Sequence, residues 1–109
     1  MTDNEHGKNR WYKHMAEIDR EIVRHAMLCK VALLDPGVIE RVLQNDSSIC
    51  GAQNAPSFAK LRSLLMMHYS VRDRAVVAIG QAETMAMLGE IVARLREQVG
   101  DKLGGAPAA

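Results

Sequence analysis

Four side chains have types and spacings suited to holding a metal ion. His25 and Cys29, the two ends of "HAMLC", are four residues apart. On a helix they project the same way, and an imidazole nitrogen with a thiolate suits zinc, iron or copper. His68 supplies a third ligand if its helix packs beside the first. Glu21, one turn before His25, serves either as a fourth ligand or as the acceptor that orients the imidazole. Two facing histidines can instead clasp a haem between helices. The simpler reading makes His25 and His68 neutral core histidines, each bonded to Glu21, Tyr69 or a backbone carbonyl, with Cys29 as a small hydrophobe. The chain has no ExxH or HxxxH pair of the kind found in di-iron or metalloprotease helices, which favours that simpler reading. At an interface between two subunits, the same histidines would weaken a dimer on protonation.

Other groups carry weaker signals. Cys50 in "SSICG" is a nucleophile only if a histidine elsewhere activates it, and a cysteine that anchors a loop accounts for it more simply. Glu17 and Glu21 form a carboxylate pair on a helix flank, where salt bridges to Arg20, Arg24 or His14 are expected. Lys60, Arg62, Arg72 and Arg74 are candidates for a phosphate-binding edge, but Asp73 interrupts them and the formal charge of the chain is only +1. A helix-turn-helix would need a tight turn where this chain has a long loop. No nucleic-acid partner is expected. Met66 and Met67, with Val77, fall away from the main apolar stripe of their helix and suggest a second contact surface for a partner helix or a copy of the chain.

Helices must position all of these groups. Of the 109 residues, 48% are hydrophobic and 25% charged, a globular balance, while aromatics are only 4% and seven residues are Met. Aliphatic residues of this kind suit helices and disfavour a β fold. From Asn9 or Arg10 to Leu34 there is no Gly or Pro, and positions 11, 15, 18, 22, 25, 29 and 32 alternate steps of four and three, the spacing of a packed seam. His25 and Cys29 complete that stripe.

"LLDPGVIERVLQND" supplies a break and a restart, with Asp35 as cap and Pro36 in the first turn of a short helix that ends near Asn45. That helix is expected to bury Val38, Ile39, Val42 and Leu43. In the following loop Ile49 and Cys50 are expected to point into the core. A third helix begins after an N-cap at Asn54 or Ser57 and reaches Gly80, with Leu61, Leu64, Leu65, Val71, Ala75 and Ile79 on one face and His68 near its middle. A fourth is expected to place Met85, Leu88, Ile91, Val92, Leu95 and Val99 inward. Gly80 is either a corner or a bend within one long rod.

The expected fold is therefore all-α: a small bundle of three long helices and one short helix, dimerising, over residues 10–99, with tails at 1–9 and 100–109. The two cysteines lack CxxC spacing and read as free thiols, and no apolar run approaches a membrane span or a leader segment, so a cytoplasmic location is expected. The expected function is a non-enzymatic protein-interaction module, a regulator or accessory subunit acting as a homodimer. The alternative is a metal- or haem-binding bundle using His25, Cys29 and His68.

Overall fold

The computed structural model describes residues 3–100 together with 102 and 104. The protein is all-α, with α1 at Asp3–Cys29, the short α2 at Val38–Leu43, α3 at Ala55–Ile79 and α4 at Gln81–Val99. Two single 3-10 turns, Ser47–Ile49 and Ala52–Asn54, lie between α2 and α3. No described helix is long and apolar enough to cross a membrane.

α1 starts within the stretch expected to be a tail, at Asp3, and Lys8 is held there by Glu83 of α4 at 3.1 Å. It stops before Leu34. Lys30 takes a left-handed conformation (φ 58), its N–H bonds the Met27 carbonyl, and the Val31 N–H bonds the Ala26 carbonyl. This pair of bonds is the Schellman arrangement that closes orphan carbonyls, and the buried Ala26 and Val31 make the apolar pair that accompanies it. The burial of Val31 and Leu33 stabilises a turn where residue propensities alone would extend the helix. Asn45 closes α2 with the same bond pattern. Of the stretch expected as a C-terminal tail, Gly100, Lys102 and Gly104 are described and the rest lies outside the described residues.

Entry into α2 and α3 uses backbone more than side chains. Gly37, with φ 80, is the N-cap of α2, and no side chain caps it. Asn54 occupies the N-cap position of α3 without a side-chain bond, and Pro56 sits in the first turn, where its missing N–H costs nothing. Gly80 is a true corner: φ 92 and ψ 158 lie outside the helical region and favour glycine. Its carbonyl accepts from the Thr84 N–H at 3.1 Å and from Thr84 Oγ1 at 2.8 Å, which satisfies the hydroxyl of a fully buried threonine.

α1 and α3 pack antiparallel, as Asp19 meets His68 while Cys29 meets Asn54. Between them lie Met15, Ile18, Ile22, Val23, Ala26, Leu61, Leu64, Leu65 and Val71. α4 covers one side of this pair, and the segment 31–43 closes the end nearest Cys29, burying Val31, Leu33 and Val42. Val38, Ile39, Leu43, Ile49 and Cys50 are half-buried against the same core, while Glu40 and Arg41 are exposed, as their spacing requires.

The inward face of α4 differs from the expected one. Thr84, Met87, Ile91 and Leu95 are buried, whereas Met85 and Val92 are exposed at 44% and 36%. Two overlapping stripes of similar apolarity run along this helix, and the one that includes Thr84, Met87, Ile91 and Leu95 is buried. The molecule measures 50 × 32 × 19 Å, so along its short axis it is about two helix diameters thick. A slab this thin cannot cover both faces of every helix.

Candidate functional site

The site is built on a carboxylate that the apolar stripe conceals. Asp19 is 6% exposed in the α1–α3 seam. Its Oδ1 lies 2.6 Å from Nδ1 of His68, whose side chain is 18% exposed. A buried carboxylate must be hydrogen-bonded or paired, and the imidazole meets that requirement. With the carboxylate accepting, Nδ1 carries the hydrogen, and in the neutral ring Nε2 is then the acceptor nitrogen. The His68 ring stands edge-on to Tyr69 at 5.2 Å between centroids, and the guanidinium of Arg72 lies over the Tyr69 ring at 4.7 Å. These contacts fix the imidazole plane.

The pair lies in the wall of a partly open cavity of about 150 Å³. Ile22 and Val23 of α1, Leu33, Leu34, Ile39, Leu65 of α3, and Val92 and Leu95 of α4 supply an otherwise apolar lining. The combination of apolar walls with a few convergent polar groups is the general character of small-molecule sites.

The four expected metal ligands sit in different surroundings. The hydrogen bond of His68 is to Asp19, not to Glu21, Tyr69 or a carbonyl, and Tyr69 meets it only ring to ring. Glu21 pairs with Arg24 at 3.2 Å, one of the surface bridges its helix position suggested. The thiol of Cys29 is buried and lies 3.9 Å from the Asn54 carbonyl, a weak hydrogen bond. Burial pushes that thiol up from its ordinary pKa, and the charge of a Cys50 thiolate adds to the shift. His25 is half-buried, and its Nδ1 is buried without a hydrogen-bond partner among the described residues. Among the described residues, no three His, Cys, Asp or Glu side chains are grouped so as to hold a metal ion. Cys29 and Cys50 are both free thiols.

Two of the four basic residues on α3 have structural work. Arg62 donates through Nε to the Leu43 carbonyl at 3.1 Å, closing the end of α2, and Arg72 covers Tyr69 and reaches Asp73 at 3.5 Å. The apolar residues of the outer face are placed as their spacing implies: Met66, Met67 and Val77 are 51%, 48% and 88% exposed.

Sequence reasoning missed Asp19. The signal was available, since 15, 19, 22, 26 and 29 also alternate steps of four and three. This second series shares 15, 22 and 29 with the first, and places Asp19 and Ala26 where the first places Ile18 and His25. The helix buries Ala26 fully and leaves His25 at the margin, while Ile18 and Asp19 are both buried, so the packed side is wide enough to take in the carboxylate. Compared with known protein families, with curated proteins and with solved structures, the chain matches none.

Proposed function

We propose that the protein is a non-enzymatic helical interaction module, a regulator or accessory subunit that acts as a homodimer, its two copies meeting over the outer face of α3. The observation that carries this reading is the exposure of Met66, Met67 and Val77 on a long, well-packed helix. Positions 59, 63, 66, 70, 73 and 77 alternate steps of four and three along that face, a second seam directly opposite the first. Ala59, Ser63 and Ser70 are small and exposed, which allows close approach of a second helix, and the two methionines adapt their shape to a facing surface.

A second copy suits this face better than a strongly charged partner. The chain carries a formal charge of +1, so two copies repel one another little. The slab is two helix diameters thick, and a second copy would give α3 cover on both sides.

Light scattering of the purified chain from about 5 to 500 µM, the range expected of a modest interface, tests this reading. Twice the chain mass of 12.0 kDa is expected at the upper end, with Val77→Lys reducing it to the single mass. A wild-type chain that stays at the single mass throughout contradicts it.

A further inference from the structure

Beyond self-association, and independently of it, we propose that the cavity beside His68 is a binding site for a small, ring-sized apolar molecule bearing one hydroxyl, with the hydroxyl donating to Nε2 of His68. Three observations converge on this chemistry. The cavity volume, about 150 Å³, is that of a space that accommodates a single benzene ring. Its walls come from α1, the 33–39 segment, α3 and α4, so four parts of the fold line one largely apolar, partly open volume. Asp19 and His68 are the ionisable groups among its lining residues apart from the phenol of Tyr69.

The direction of the hydrogen bond follows from the pair. Nδ1 is committed to Asp19 at 2.6 Å, and Nε2 has no hydrogen-bond partner among the described residues. With Nδ1–H held by the carboxylate, the ring in its neutral form offers Nε2 as an acceptor, and the ligand group complementary to that form is a donor. A hydroxyl fits, since it brings no charge into an apolar space. A carboxylate would enter the same cavity as Asp19 and meet its charge, at a cost that a neutral ligand avoids.

Phenol and toluene are the probes, because they share size and shape and differ in the hydroxyl. Nuclear magnetic resonance titration of the wild-type chain is expected to show phenol binding about tenfold more tightly than toluene, the difference one well-made hydrogen bond supplies. Phenol is expected to move the Nε2 resonance of His68 more than that of Nδ1. Val92→Trp, which changes a partly exposed wall residue and leaves the Asp19–His68 pair intact, should abolish binding of both probes. His68→Leu should weaken phenol to the level of toluene. If that variant does not fold, the Nε2 shift in the wild-type chain decides the hydrogen bond alone. Equal affinity for the two probes, an unmoved Nε2 resonance, undiminished binding to Val92→Trp, or no binding of either probe overturns the proposal.

Discussion

The two faces of α3 make opposite arrangements from similar residues. Its inner face is buried against α1 and α4 through Leu61, Leu64, Leu65, Val71 and Ala75, and the polar group it admits, His68, is met by Asp19. Its outer face repeats the seam spacing but leaves Met66, Met67 and Val77 in solvent. Apolar residues on the inner face are explained by the fold of one chain, and those on the outer face are not. Polar residues inside the seam and apolar residues outside it are the two departures of α3 from a simple amphipathic helix.

Substitutions on the two faces should therefore differ in kind. The largest loss is expected for Leu61→Ala, because Leu61 is fully buried and truncation leaves a hole: about 3 kcal/mol in urea unfolding. Asp19→Leu comes next, at about 2 kcal/mol, since it removes the carboxylate that His68 donates to. Adding His68→Leu to it should restore part of that loss, as replacing both partners with apolar groups is far cheaper than orphaning one. A double variant as unstable as the sum of the singles would show that the pair is not coupled.

On the outer face Val77→Lys should change the unfolding free energy of the isolated chain by less than about 0.5 kcal/mol while reducing the mass in solution. Folding losses of the inner-face size at Val77 would erase the distinction between the faces. The smallest effect lies outside α3 altogether, at Asp46. Bonds from the Ser48 hydroxyl and N–H hold its carboxyl below the ordinary value, with Arg41 adding a lesser push. A carboxyl with a lowered folded pKa stabilises the fold above its unfolded value and loses that contribution as pH falls through the folded one. Asp46→Ala should thus make stability fall slightly less steeply below about pH 4, followed by circular dichroism during acid titration.

Much of this architecture is legible in residue spacing. Three long helices and a short one, the α1 seam and the apolar inner face of α3 follow from steps of three and four, which record one buried side per helix. Legibility fails where two rotations of a helix bury similar area. On α1 the packed side is wide enough to bury Ile18 and Asp19 together, and Asp19 meets His68 there from 49 residues away. On α4 Met87 and Ile91 are buried while Met85 and Val92 are exposed, a choice that residue spacing leaves open. The end of α1 was hidden for a different reason, because Lys30 adopts a backbone conformation usually left to glycine. The pairing that builds the candidate site was harder to read: the spacing 15, 19, 22, 26 and 29 includes Asp19, but a carboxylate inside an apolar stripe reads as a surface residue until its partner is located.

The claim that α3 has one face for folding and one for a second copy is tested most directly by the methionine methyl groups. Met66 and Met67 lie on the outer face, whereas Met15 is fully buried and Met87 nearly so. In a methyl-labelled sample diluted from about 500 to 5 µM, across the dissociation range expected of a modest interface, the Met66 and Met67 resonances should move together while Met15 and Met87 hold their positions. Resonances of Met66 and Met67 that stay fixed over that range, at the single-chain mass, would contradict the account.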